Sequence, residues 1–372
     1  MHEFYDALII GGGINGCAIA RKLALDGKKV CLLERHTIGC GTSSNSSKLI
    51  HGGLRYLETG RFGLVMESLK DRKRLFGLYP NLVEMVPFYL PIYDDSVRPW
   101  WIIRIGLGLY DLFSRQAQYS CCKISNGDFA DKFPGIKTEK LRRVYVYFDG
   151  KTNDLEITRR IAQDAYHSGC VVRENCQVIS IGSDDKIFKI LYRDSSGEHE
   201  VDGPLFINAT GPWIDEVNNE YHLPHNHRIQ KISGIHIVIN RLLVPDCMFL
   251  QTNNRRIFFM IPWTEGKTII GTTERIEGQC CDEIKVQEED INYLLVCANC
   301  YLQEPITRQD ICNTFLGIRP LVMNKNDDVD ATCMSRDYKI DVITKGTTKL
   351  INVYGGKLTT CLSMAEKVAA HI

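Results

Sequence analysis

The chain has 372 residues, 44% of them hydrophobic and 24% charged, the proportions of an ordinary globular protein with one large domain or two interleaved ones. Its lysines and arginines number 45 and are balanced by 45 aspartates and glutamates, so no global field draws it to nucleic acid and any anion site must be local. No run reaches the roughly 18 apolar residues that a membrane-spanning helix needs.

The opening "MHEFYDALIIGGG" goes directly into a strand. "DALIIG" is apolar and β-prone, "NGCAIARKLALDG" has helical spacing ending at Gly27, and "KKVCLLE" predicts a second strand. Together they form a βαβ unit whose crossover should be right-handed. That start shows no basic leader region or small-residue cleavage site, and the cysteines number an odd 15, so reduced thiols in a cytosolic or matrix-like compartment are expected. "WWIIRIGLGLYDLF", residues 100–113, is a helix interrupted by Arg104 and Asp111. Its composition favours burial over a position in a membrane surface with Trp100 and Trp101 at headgroup level.

Further along, "CVVRENCQVISI" and "IFKILYRD" read as neighbouring strands, and "SSG" turns into "EHEVDG" to make an antiparallel meander. "PLFINATGPWIDEVNNE" is a strand that turns at Gly-Pro into a helix. "RIQKISGIHIVINR", "RIFFMIPW" and "KTIIGTTE" are further strands, and "QEEDINYLLVCANCYL" is a helix. Its lone CxxC, Cys297 and Cys300, has no second pair at zinc-site spacing, so helix packing accounts for it and no metal is expected. "LINVYGGKLTTCLSMAEKVAAHI" is a strand, a Gly-Gly turn and a final helix. A chain that begins and ends in α/β units around a mostly β middle, without repeats or linkers, is one core with an inserted β domain.

Gly11, Gly13 and Gly16 spell GxGxxG between the first strand and helix, where backbone can approach a pyrophosphate at the positive end of the helix dipole. Glu34, ending the second strand, is placed to accept hydrogen bonds from a ribose diol. The motif does not choose between NAD and FAD. Two more glycine turns follow strands, Ala209-Thr210-Gly211 and Gly355-Gly356-Lys357. They suit the extended ribityl chain and ring of FAD, with the second opening a helix, or they are ordinary strand-to-helix turns. Residues 42–58, "TSSNSSKLIHGGLRYLE", combine hydroxyls, paired glycines, a lysine, a histidine and an arginine with a single acid, Glu58. This is either a solvated loop or one shaped around an anion.

"IIGGGINGCAIA", "TSSNSSKLIHGGLRYLE", "INATGPWID", "IIGTTE", "GIRPL" and "YGGKLTT" resemble, in order and spacing, the FAD-dependent respiratory glycerol-3-phosphate dehydrogenases. The resemblance runs through essentially the whole chain, and "SSKLIHGGLRYLE" is its most specific part. It implies an α/β fold, α+β overall. A Rossmann-like FAD-binding domain of the glutathione-reductase/D-amino-acid-oxidase type is interleaved with an antiparallel β substrate domain. Residues 1–80, 146–222 and 336–372 would form the first, and 81–145 and 223–335 the second. The implied reaction is oxidation of sn-glycerol 3-phosphate to dihydroxyacetone phosphate by hydride transfer to flavin N5. Electrons pass on to ubiquinone or menaquinone at a membrane surface. An oxidase releasing hydrogen peroxide and an inactive flavin-binding scaffold are the alternatives.

Carried over residue by residue, the resemblance implies cofactor contacts at Gly11, Gly12, Gly13, Asn15, Gly16, Glu34, Arg35, Thr42, Ser43, Ser47, Lys48, Gly52, Val178, Ala209, Gly211, Gly356 and Leu358. Arg55, Tyr56, His236, Arg319 and Lys357 would bind substrate, with His236, Arg319 and Lys357 catalytic. Arginine suits a phosphate through its forked donors, and an imidazole titrates near neutral pH and can take a hydroxyl proton. His51 would shape the flavin pocket. The family pattern has Lys-Gly-Ser-His where this chain has Ser233 to His236, Tyr-Arg in place of Cys361-Leu362, and two acids in place of Asn153-Asp154. It also continues into a C-terminal helical domain beyond the matched motifs. The resemblance places the protein in the cytoplasm or peripherally on the cytoplasmic face of the inner membrane, and leaves a homodimer open.

Overall fold

The computed structural model describes residues 3–324 and 337–372, with Asn324 described by its backbone alone; the expected boundary at 335/336 lies outside them. Alternation of apolar residues builds the first layer. In the strands Ala7–Ile10, Val30–Leu33 and Leu205–Asn208, Ala7, Ile9, Val30, Leu32, Leu205 and Ile207 face one core. Leu8, Ile10, Cys31, Leu33 and Phe206 face another. With Val171–Arg173, Thr348–Tyr354 and Lys339–Lys345 they form a six-stranded sheet, parallel except for the last pair. Helices Ile14–Leu25, Asp154–His167 and Cys361–Ala369 cover the first face. A four-stranded sheet of Glu3–Phe4, Gly197–Gly203, Phe188–Asp194 and Gln177–Ser183 covers the second. Burial on both faces is why these strands read as continuous apolar runs.

One expected strand is two. "CVVRENCQVISI" divides at Asn175, whose φ of 57° turns the chain, so Val171–Arg173 joins the parallel sheet and Gln177–Ser183 the four-stranded one. Asn tolerates this left-handed conformation better than most residues.

The other large layer is a ten-stranded sheet built on two long antiparallel pairs, Val83–Tyr93 with Leu141–Thr152 and His227–Ile239 with Ile311–Asn324. Cys247–Gln251, Ile257–Trp263 and Lys267–Gly271 lie between them. Leu141–Thr152 is one element across the expected break at 145/146, and Leu49–Ile50 pairs with it, so both pieces belong to this sheet. Helix Phe62–Leu78 joins the layers, with Leu75 in the core under the parallel sheet and Val65 and Leu69 in the core of the ten-stranded one.

Helix Trp100–Ser114 packs beside it. Ile103, Leu107 and Tyr110 are buried, yet Trp101, Ile105 and Leu112 are 52%, 57% and 66% exposed. Phe62 and Met66 extend this apolar outer face. The expected burial therefore holds for one side of the helix only. No helix among the described residues is long and apolar enough to cross a membrane.

Candidate active site

A cavity of ≈ 600 Å³ runs from the GxGxxG turn, past residues 42–56, to the ten-stranded sheet. Its first end is made of backbone. Gly11 sits at φ +99°, and a β-carbon there would lie 2.6 Å from the Ala209 carbonyl oxygen. At Gly16 a β-carbon would lie 1.9 Å from the Gly11 oxygen, so helix and turn can close only around glycine. The helix presents Gly13, Ile14 and Asn15 to the cavity, and its first turn is held by the Ser43 hydroxyl, which accepts from the Ile14 amide at 2.9 Å. Glu34 accepts from the Gly12 amide at 2.6 Å and the His36 amide at 2.8 Å. A carboxylate has lone pairs beyond those two for a ribose diol.

The serine-rich loop is organised from behind by Asp154, fully buried at the start of its helix. This carboxylate takes the Ser46 amide at 2.9 Å, the Ser46 hydroxyl at 2.7 Å and the Lys48 ammonium at 2.6 Å. Asn153 caps the same helix, accepting from the Glu156 amide at 3.3 Å. Thr42 fastens the loop to the second layer by donating to the Ile318 carbonyl at 2.8 Å. Behind "IHGG", the Gly52 amide donates to Tyr110 Oη at 2.9 Å and Asp149 Oδ1 at 3.1 Å, and Asp149 is paired with buried Arg72 at 2.7 Å. Burial pushes the Asp149 carboxyl up, with the Arg72 charge opposing it.

At the far end the side chains take over. His236 is 2% exposed, stacked on Phe315 with ring centroids 4.6 Å apart and facing Gly271 across its other neighbouring strand. Its Nε2 shares a hydrogen bond of 2.9 Å with the Ser47 hydroxyl, and buried Nδ1 has no hydrogen-bond partner among the described residues. Burial first, then the charges of Arg319 and Lys48, hold this imidazole well below its ordinary range, so it is neutral at pH 7. Arg319 donates to the Thr272 hydroxyl at 3.1 Å. Arg319 and Arg55 both approach one carboxylate oxygen of Glu274, at 3.7 and 3.8 Å. The Lys357 ammonium lies 4.0 Å from the centroid of the Tyr56 ring. Arg55, Tyr56, His236, Glu274, Arg319 and Lys357 all line the cavity.

Of the residues expected at the cofactor, Gly11, Gly13, Asn15, Glu34, Arg35, Thr42, Ser43, Ser47, Val178, Ala209, Gly211, Gly356 and Leu358 also line it, as does His51. Gly12, Gly16, Lys48 and Gly52 do not. Their work is behind the wall: Gly12 binds Glu34, Gly16 packs on Gly11, Lys48 neutralises Asp154 and Gly52 anchors on Tyr110 and Asp149. Arg35 stands at the cavity's edge over Trp213, 3.3 Å from Asp282. The final helix starts at Cys361, four positions after Lys357, so the Gly-Gly turn precedes it rather than opening it. Glu274, Thr272 and Trp213 were not singled out by sequence reasoning, although "IIGTTE" and "TGPWID" contain them. The signal was an acid following two threonines at a strand end.

A pattern described as FAD dependent oxidoreductase matches residues 6–371. The chain belongs to this family. It is 34% identical over 371 residues to the aerobic glycerol-3-phosphate dehydrogenase of Escherichia coli (strain K12), covering 98% of this chain and 72% of that protein. It is 31% identical over 382 residues to the D-erythritol 1-phosphate dehydrogenase of Brucella abortus (strain 2308), covering 98% and 73%. The solved glycerol-3-phosphate dehydrogenase from Bacillus halodurans complexed with FAD shares the fold, with a TM-score of 0.78 and 24% identity over 99% of this chain and 64% of that one. FAD is thus the cofactor of this oxidoreductase, and the cavity fits it. Its glycine-only contacts leave room where a side chain would intrude. Asn15 Oδ1 is buried at its wall without a partner among the described residues, while Asn15 Nδ2 ties the first helix to the Gly355 carbonyl at 3.0 Å.

Proposed function

We propose that this FAD-dependent oxidoreductase oxidises sn-glycerol 3-phosphate to dihydroxyacetone phosphate and passes the electrons to a quinone at a membrane surface. The observation that carries the substrate is the convergence of Arg55, Arg319 and Lys357 beside neutral His236 at one end of the cofactor cavity. Three cations suit a phosphate dianion, and the two arginines offer forked donors. The substrate's phosphate would lie against them, with its secondary hydroxyl turned to His236, which takes the hydroxyl proton. Ser47 holds the imidazole through Nε2. Bound FAD supplies the acceptor for the electron pair and hydrogen leaving carbon. Glu34, Ser43, Asn15 and the glycine turns would hold the cofactor, and the apolar wall of Phe88, Tyr147, Phe249 and Phe259 would exclude water. Residues feeding the six-stranded sheet form the cofactor domain in this reading, and the ten-stranded sheet carries the substrate domain. The apolar face around Trp101, Ile105 and Leu112 supports peripheral contact with a membrane.

Purified holoenzyme should be yellow, and anaerobic glycerol 3-phosphate should bleach its flavin band; a colourless protein that FAD does not reconstitute overturns the reading. D-erythritol 1-phosphate in a parallel titration decides between the two polyol phosphates. Turnover with a quinone analogue, measured against peroxide release in air, decides the acceptor. Arg319→Ala should raise the half-saturating substrate concentration by about 10- to 100-fold, the loss of one or two charge-assisted hydrogen bonds, while FAD content stays unchanged.

A further inference from the structure

Glu58 is the single acid of residues 42–58, and it does not line the cavity. It sits on the 3₁₀ turn Leu54–Thr59, which also carries Arg55 and Tyr56. This turn has no buried residue and no side-chain cap, and a left-handed glycine flanks it on each side, Gly53 at φ 78° and Gly60 at φ 66°. Leu54, Tyr56 and Leu57 lean on the core of the ten-stranded sheet, and the Tyr56 ring lies against Lys357. Glu58, toward the other end of the turn, is held by Arg98. The guanidinium closes on both carboxylate oxygens, through Nε and, at 3.0 Å, through Nη2. Nη2 also donates to the Arg255 carbonyl at 3.1 Å, and Nη1 reaches Gln251 Oε1 at 3.4 Å. The Arg98 side chain is 13% exposed and its fork is bidentate, which separates this pair from the ordinary surface ion pairs that contribute little. Gln251 ends the strand Cys247–Gln251 and Arg255 precedes the strand Ile257–Trp263, whose Phe249, Ile257 and Phe259 line the cavity. Arg98 thus ties the turn to two strands of the cavity wall without lining the cavity itself.

We infer, on the reading of this pocket as a phosphate-ester site, that Arg98 is a positioning residue that acts through Glu58 on Arg55. A 3₁₀ helix has three residues per turn, so side chains three apart lie on the same side of it. Arg55 and Glu58 are three apart, and a roll of the turn about its axis moves both together. A fork of fixed geometry on Glu58 sets that roll, and with it the direction from which the Arg55 guanidinium enters the cavity. A ligating arginine displaced by about 1 Å loses the alignment of its charge-assisted hydrogen bonds, and misplacements of this kind from a remote change cost up to about 10²-fold.

The test is a double-mutant cycle in the holoenzyme with glycerol 3-phosphate. Arg98→Ala should raise the half-saturating concentration about tenfold, with a smaller change in kcat and FAD content as in the wild type. In an Arg55→Ala background the same substitution should raise it by less than about twofold, because the residue it positions is gone. Glu58→Gln keeps the size of the side chain and removes its charge; it should give a smaller increase that also vanishes in Arg55→Ala. Arg98→Lys, a cation without the fork, should not restore the wild-type value. Hydrogen exchange of residues 54–60 should quicken in Arg98→Ala, with the strands of the ten-stranded sheet unchanged. An increase of equal size with and without Arg55, or no increase in Arg98→Ala or in Glu58→Gln, would overturn the inference. Failure of glycerol 3-phosphate to bleach the wild-type flavin would instead overturn the substrate assignment, and unaltered exchange of residues 54–60 in Arg98→Ala would show that Arg98 does not hold this turn.

Discussion

The two ends of the cavity are built by different means. At the cofactor end much of the surface is main chain: a glycine turn and a helix N-terminus, with one acid at a strand end, come from the first 34 residues, and the loop from Thr42 and the turns at Ala209 and Gly356 complete it. At the proposed substrate end it is side chains gathered from far apart in the chain: Arg55 on a short 3₁₀ turn, His236 and Arg319 on two paired strands, Glu274 after a third and Lys357 beyond a fourth. A main-chain surface tolerates any substitution that leaves the backbone path open and fails when it closes. A side-chain surface fails one function at a time.

The largest effect should come from closing that path. Gly16→Ala forces a β-carbon against the Gly11 oxygen, a contact that the packed helix and strand cannot relieve. It should cost about 3 kcal/mol or more and abolish FAD binding, read as flavin absorbance per mole of protein together with a denaturation midpoint. A yellow, stable Gly16→Ala protein would break the comparison. His236→Ala should act oppositely, keeping FAD while lowering kcat by about 10²–10⁴-fold, the range for loss of a general base. Because the folded imidazole titrates well below its ordinary value, wild-type kcat/KM should stay level through neutral pH and fall only in more acid solution. The linked stability has the same sign. Below the unfolded histidine pKa, about 6.5, the unfolded chain binds the proton and the folded one does not, so this contribution is lost as pH falls. The smallest effect belongs to Arg35→Ala. Its pair with Asp282, at 3.3 Å, is largely exposed, and FAD affinity should change by less than about threefold.

The same division decides what the sequence made legible. The βαβ unit, the GxGxxG turn and Glu34 announce themselves through spacing, because backbone geometry demands glycine at fixed positions. The residues at the substrate end carry no local signature. Arginines and a histidine in apolar strands are compatible with ordinary packing, and a family resemblance was needed to single them out. The resemblance points to Lys48 at the cofactor, and only the fold shows that it also pairs with buried Asp154. Glu274 stayed hidden because the two arginines it approaches, Arg55 and Arg319, lie far from it along the chain. The split at Asn175 escaped because both halves of "CVVRENCQVISI" are strands by composition, and only a left-handed residue between them sends each to a different sheet.

The helix Trp100–Ser114 has a consequence for how this chain behaves at the bench. Its outward tryptophan, isoleucine and leucine side chains form a sticky area on a molecule whose formal net charge is +0 at pH 7. Without net charge there is little long-range repulsion to keep two copies apart once such areas meet. Colloidal stability should therefore be poorest near neutrality, worsen in ammonium sulfate, and recover either a unit or two away from pH 7 or with a non-ionic detergent.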